Sequence, residues 1–140
     1  MFYHAKQKKY INENTMSNIL IVEDNDINYL LLEKILSDFD LTLVRAACGS
    51  EFYSIIAASK KFHLVLMDLM LPDTNGIELT KYLINNNIRI PVVFISAYSE
   101  RCEEIFDLGV KYFIHKPVMP ELFLSIVHRF VTLNAKYISK

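Results

Sequence analysis

The sequence predicts an α/β fold: a five-stranded, doubly wound parallel sheet with helices on both faces. Two observations carry this. Five short apolar runs, at residues 19–22, 41–46, 64–67, 92–95 and 112–114, lack the polar alternation of a half-exposed strand, so they suit strands covered on both faces. Between them lie stretches with apolar residues three and four apart, and strands that alternate with helices pair in parallel.

The first helical stretch carries Ile27, Leu30, Leu31, Lys34 and Ile35, and the second Phe52, Ile55, Ile56 and Ser59. The third carries Ile77, Leu79, Leu83 and Ile84. The fourth, around Ile105 and Leu108, stops at Gly109, a residue suited to a helix end. The fifth carries Leu122, Phe123, Ile126, Val127 and Phe130, with Pro120 placed for its first turn. Residues 1–17 are polar without a clear apolar period and read as a flexible tail, its Lys6, Lys8 and Lys9 solvated. Met16 reads as a second start. One domain is expected over 18–134, followed by a C-terminal tail at 135–140.

A chain of 140 residues suits one domain with a real core. Its 52% hydrophobic and 22% charged residues are a globular balance. A net charge of -1 gives no electrostatic case for nucleic acid or an anionic membrane surface. Cys48 and Cys102 have neither CxxC nor metal-ligand spacing and read as reduced thiols. No apolar run approaches the roughly 20 residues of a membrane helix, and the N-terminus lacks a signal-peptide core. The cytoplasm is the expected location.

Ligands of such sheets bind beyond the carboxyl ends of the strands. Here those ends are polar: Glu23 and Asp24 after the first run, Asp68 after the third, Ser96 after the fourth, and His115, Lys116 and Pro117 after the fifth. Alone, each has an ordinary explanation, since an aspartate or serine before a helix is usually a cap and a lysine is usually solvated. Asp73 and Asn75, in Pro-Asp-Thr-Asn-Gly, are read as turn residues. Together, the strand-end groups make a chemistry. Crowded carboxylates repel, and Mg²⁺, a hard cation that favours oxygen ligands, relieves that repulsion. Lys116 supplies a point charge for a phosphate oxygen and Ser96 a hydrogen bond. Asp68 is then a candidate nucleophile for a phosphoryl group.

Four blocks then resemble a known family. They are ILIVEDN at 19–25, LVLMDLMLPDTNG at 64–76, PVVFISAY at 91–98 and YFIHKPV at 112–118. Over 18–134 the chain resembles the response-regulator receiver domains of two-component signalling. The resemblance implies a flavodoxin-like (βα)5 sheet of strand order 2-1-3-4-5, an order that comes from the family and not from the residues themselves. It implies that Asp68 accepts a phosphoryl group from a histidine kinase or histidine phosphotransfer protein. Asp24, Asp68 and the backbone carbonyl of Met70 would hold Mg²⁺, with Glu23 acting through a bound water. Ser96 and the small Ala97 would bind the phosphoryl group, Lys116 would pair with it, and Phe113 would turn inward as Ser96 moves. The Lys116–Pro117 bond would be cis. Phosphorylation would then shift the surface of the fourth helix, fifth strand and fifth helix. That surface would act on a downstream protein, from a monomer or a weak homodimer.

The sequence also departs from the family. The stretch from Ser96 to Gly109 is about two residues shorter than usual in the family, which implies a fourth helix that starts late or is short and leaves the exact readout surface open. Phe113 has no hydroxyl, and His63 stands where the family often has an acid and reads as a surface residue at a strand start. Met70 and Tyr98 occupy positions that flank the phosphoryl group in the family. Both are bulky, and they either hinder the attacking water, giving a long-lived phosphoaspartate, or merely cover the loop.

No output domain is expected, so the receiver acts through a protein partner, or serves as a relay carrier or phosphate sink. A Mg²⁺-dependent phosphohydrolase would want an acid at Met70. A flavodoxin-like cofactor binder would want an anion-cradling loop where EDNDIN stands. An inactive receiver fits poorly with an intact acidic set. The protein is not expected to be an enzyme beyond slow loss of its own phosphoryl group.

Overall fold

The computed structural model describes residues 16–59 and 61–136. The expected N-terminal tail lies almost wholly outside these residues. Its last member, Ser17, already belongs to the first strand. In chain order the elements are β1 (Ser17–Val22), α1 (Asp26–Leu36), β2 (Leu41–Ala46), α2 (Gly49–Ala58), β3 (Leu64–Met67), α3 (Gly76–Asn85), β4 (Val92–Ser96), α4 (Cys102–Asp107), β5 (Tyr112–His115) and α5 (Pro120–Val127). The five strands form one parallel sheet of order 2-1-3-4-5, as expected.

The period of two along each strand splits the apolar residues between two cores. Ile19 and Ile21 of β1, Leu64 and Leu66 of β3, and Val93 and Ile95 of β4 pack with Leu32 and Leu36 of α1 and Phe123, Ile126 and Val127 of α5. Leu20, Val22, Val65, Met67 and Phe94 point the other way, onto Phe52 and Ile56 of α2, Leu79 and Leu83 of α3, and Ile105 of α4. Burial on both faces is why the apolar runs of the central strands β1, β3 and β4 are unbroken, whereas the edge strands β2 and β5 are only partly buried, against the expectation of cover on both faces for all five.

Two helices differ from the sequence reading. On α1 the stripe Ile27, Leu30 and Leu31 is exposed, at 77%, 57% and 45%. The core takes Leu32 and Leu36 instead, with Tyr29 and Ile35 partly buried. Both sets satisfy the three-four spacing, so periodicity alone did not choose between them. α5 stops at Val127. Beyond it Arg129 N–H and Phe130 N–H donate to Ile126 and Val127 carbonyls, three residues back, which tightens the last turn. The chain then pairs with the α1–β2 connection: Asp40 N–H donates to Asn134 O and Lys136 N–H to Asp38 O, each at 2.8 Å. The expected tail at 135–140 therefore begins inside a hydrogen-bonded segment.

α4 spans six residues, in line with the shortened stretch before it. His63 is exposed, and its Nδ1 accepts from Asn18 N–H at 3.0 Å. Among the described residues no helix is long and apolar enough to cross a membrane.

Candidate functional site

The site is built where the strands stop. Glu23 N–H donates to Ala46 O and Asp68 N–H to Val22 O, both at 3.0 Å, so each acid sits one residue past its strand with its backbone still in the ladder. Glu23 is 2% exposed and Asp68 8%, whereas Asp24 is open to solvent. One carboxylate oxygen from each of the three lies within 4.8 Å of the others. Asn25 caps α1 by accepting from Asn28 N–H at 2.9 Å, and its own N–H donates to Glu23 Oε2 at 3.2 Å.

Lys116 crosses from the far end of the sheet. Its N–H donates to Ser96 O at 3.0 Å, and its ammonium donates to Glu23 Oε1 at 2.8 Å and Asp68 Oδ2 at 3.1 Å. The Lys116–Pro117 bond is cis. Burial pushes the Glu23 carboxyl above its ordinary value, against the pull of Lys116, and the neighbouring Asp68 charge adds to the rise. For Lys116 burial works downward, but its contacts with Glu23 and Asp68 outweigh this and hold it above its ordinary value.

Three carboxylates facing one ammonium leave an excess of negative charge when all are ionised. All three offer hard oxygen donors, and Asp24 keeps an open path to water. That donor set fits a hard divalent cation such as Mg²⁺.

The remaining predicted residues surround this cluster at different depths. Ser96 is fully buried, and its Oγ accepts from Tyr98 N–H at 3.1 Å. The Tyr98 and Met70 side chains are exposed, at 54% and 55%, as is Ala97. Phe113 is half-buried, stacked on Phe94 at 6.4 Å between ring centres and 5.0 Å from His115.

One residue escaped the sequence reading, and two others were read too narrowly. Arg45, next to the end of β2, donates from Nε to Glu23 O at 3.0 Å and from a terminal nitrogen to Asp24 O at 3.2 Å. A third contact, an ion pair to Asp26 Oδ1 at 2.8 Å, fixes the start of α1 behind the acidic pair. A charged residue near the carboxyl end of a mostly apolar strand was the available signal. Asp73 and Asn75 do more than turn work: Asn75 caps α3 through Glu78 N–H at 3.0 Å, and Asp73 reaches the start of α2.

A family model described as response regulator receiver domain matches residues 19–128. The chain belongs to the receiver-domain family. Among its relatives is the polar-differentiation response regulator DivK of Brucella anthropi, 28% identical over 118 residues, covering 81% of this chain and 95% of that one. The DivK of Brucella ovis is 28% identical over 120 residues, with the same coverage. A CheY-like receiver domain protein from Methanospirillum hungatei superimposes with a TM-score of 0.73 at 26% identity, covering 81% of this chain and 92% of that structure. The Vibrio cholerae chemotaxis protein CheY4 shares the fold, with a TM-score of 0.74 at 22% identity over 83% of this chain and 99% of that one. Receiver domains bind Mg²⁺ at an acidic pocket, and this receiver has its acidic cluster at Glu23, Asp24 and Asp68.

Proposed function

We propose that this receiver is a phosphorylation switch in which Asp68 takes a phosphoryl group from the phosphohistidine of a kinase or phosphotransfer protein. The supporting observation is the bridge of Lys116 to both Glu23 and Asp68 inside a three-carboxylate cluster. An Asp68 carboxylate oxygen attacks phosphorus and a P–O bond forms. The donor's P–N bond breaks, its electron pair stays on the imidazole nitrogen, and that nitrogen takes a proton from water. Mg²⁺, held by Asp24, Asp68 and the Met70 carbonyl with Glu23 behind a water, would neutralise charge on the transferring group. Lys116 gives up a carboxylate contact to meet a phosphoryl oxygen. Ser96 supplies a hydrogen bond beside the Ala97 amide, and Phe113 follows Ser96 inward.

The donor is proposed to dock on α1. Its stripe of Ile27, Leu30 and Leu31 is exposed, and so are Met119 and Leu122 at the start of α5. A cleft lined by Leu31, Leu32, Lys116 and Pro117 joins α1 to the site. An apolar helix face beside the acceptor suits a helical partner. The readout surface is α4, β5 and α5, acting on a downstream protein in the cytoplasm.

A second reading, a relay carrier or phosphate sink, has one observation in its favour. The apolar docking face is broad while α4 on the readout side is only six residues long.

The test is intact-protein mass after incubation with Mg²⁺ and acetyl phosphate. The expected result is one added phosphoryl group in the wild type, lost with EDTA and absent from Asp68→Asn. Equal phosphorylation of both proteins would overturn the assignment of Asp68.

A further inference from the structure

α2 opens without a cap of its own. Its N-cap residue is Cys48, whose side chain makes no capping hydrogen bond. A thiol is a weak acceptor at a position where Ser, Thr, Asp or Asn ordinarily serves. The first amides of a helix still need partners. They find them 24 residues away: Asp73 Oδ1 accepts from Gly49 N–H at 2.8 Å and Oδ2 from Ser50 N–H at 2.9 Å. Both oxygens of Asp73 are thereby engaged with α2. Glu51 completes the turn by accepting from Ala47 N–H at 2.7 Å.

Asp73 sits at the tip of the turn that joins β3 to α3. The base of that turn is tied in three ways. Met70 and Asn75 form an isolated antiparallel bridge, Leu71 N–H donates to Thr74 O at 3.2 Å, and Gly76 N–H donates to Leu69 O at 2.8 Å. Met70, the first residue of the turn, is not anchored by its side chain, which is 55% exposed. Its carbonyl is placed by the turn's backbone. Leu69 and Leu71 on either side of it are anchored in the core, and the tip of the turn is tied to α2 by the two hydrogen bonds of Asp73. The contact is close-fitting as well: a Cβ on Gly49 would come within 2.5 Å of Thr74 Cγ2 and 3.2 Å of Asp73 Oδ1. These contacts couple the tip of the turn to the start of α2.

We infer that Asp73, latched onto the amides of Gly49 and Ser50, is a positioning residue for the Mg²⁺ site, setting the place of the Met70 carbonyl as a ligand. The inference rests on the metal reading above. It differs from plain helix capping in what it moves. A cap alone changes stability, whereas a latch also changes the affinity for the cation.

The experiment is isothermal titration calorimetry of MgCl₂ into the full chain, with thermal melts in EDTA beside it. Asp73→Ala is expected to weaken Mg²⁺ binding about tenfold, on the scale of lost outer-shell partners. Asp73→Asn, which keeps one acceptor oxygen, should lose less. Gly49→Ala should weaken binding from a position with no ligand atom near the cation. Adding Thr74→Ser to it removes the methyl that the new Cβ meets, and should restore much of the affinity. The latch is overturned if Asp73→Ala and Gly49→Ala lower the melting temperature while leaving Mg²⁺ affinity within about twofold of wild type. If Asp73→Ala does not fold, the comparison of Gly49→Ala with its Thr74→Ser rescue decides alone. A wild type that takes up no Mg²⁺ would remove the metal reading itself, and the latch with it.

Discussion

Replacing Lys116 by methionine keeps most of the stem and removes the ammonium that bridges Glu23 and Asp68. Truncating one partner of a buried ion pair costs about 3–5 kcal/mol. Lys116 is 18% exposed and Glu23 already resists ionisation, so it can take up a proton when the lysine is gone. The expected loss at neutral pH is thus lower, about 2 kcal/mol. For a chain of 140 residues this corresponds to a melting temperature lower by roughly 6 °C. Mg²⁺ should then act in the opposite direction. An ammonium and a divalent cation about 5 Å apart repel by roughly 7 kcal/mol at an effective dielectric of 20. Water around the partly open ammonium and the proton that Mg²⁺ must displace from Glu23 in the variant leave about a fifth of that. Lys116→Met should therefore bind Mg²⁺ roughly tenfold more tightly than the wild type. At saturating Mg²⁺ that difference restores about 1.4 kcal/mol, so most of the stability gap closes. The assay is thermal unfolding followed by circular dichroism, in EDTA and in excess MgCl₂, for both proteins. A gap that stays constant or widens with Mg²⁺ would refute this account of the site's charge balance.

Other expectations follow from single contacts. A Cβ on Gly76 would overlap Asp68 O and come within 2.7 Å of Met67 Cγ and 2.8 Å of Phe94 Cε2. Gly76→Ala should cost about 3 kcal/mol in urea unfolding, with loss of phosphorylation by acetyl phosphate. Replacing Met70 by Asn and Tyr98 by Ser should shorten the phosphoaspartate lifetime severalfold, read as decay of the phosphorylated mass. An unchanged lifetime would leave these side chains as mere loop cover. The two amide bonds to Asp73 hold its carboxyl below the ordinary 3.8. Its contribution to stability is therefore present above that value and lost as pH falls through the lower, folded-state value. The melting-temperature difference between wild type and Asp73→Asn should shrink across that acid range, and a constant difference would contradict the latch's electrostatics. Leu30→Glu should slow transfer from a phosphorylated histidine phosphotransfer protein about tenfold while leaving acetyl phosphate as good a donor as before.

The sheet was legible because its residues answer to a local rule. Leu64–Met67 is covered on both faces, so nothing interrupts its apolar run, and Asp68, itself buried, marks where the strand ends. The strand-end acids and Lys116 were legible for the same reason: polar residues at the ends of such runs stand out. Position along a helix was harder to read. Phe130 continues the spacing of Leu122, Phe123 and Val127, and no glycine or proline marks the stop at Val127. The least legible residues act across long sequence separations through backbone groups. Arg45 donates to two carbonyls, and carbonyls leave no trace in sequence. Asp73 caps a helix that begins 24 residues earlier, where the cysteine at the N-cap only hints at a missing partner.

The exposed face of α1 bears on the proposed function as well as the fold. Fully burying a leucine or isoleucine is worth about 1.5–3 kcal/mol, and the core declines that gain three times over at Ile27, Leu30 and Leu31. Scattered exposed apolar residues are ordinary, but a contiguous helical stripe beside a reactive carboxylate is a different case. Were the stripe fitted to the sheet, α1 would have to roll. Asn25, Glu23 and Arg45 hold its N-terminus against doing so, through the same bonds that orient the acidic pair. The geometry that fixes Glu23 and Asp24 for a cation therefore also turns the Ile27–Leu31 stripe outward, toward whatever brings the phosphoryl group.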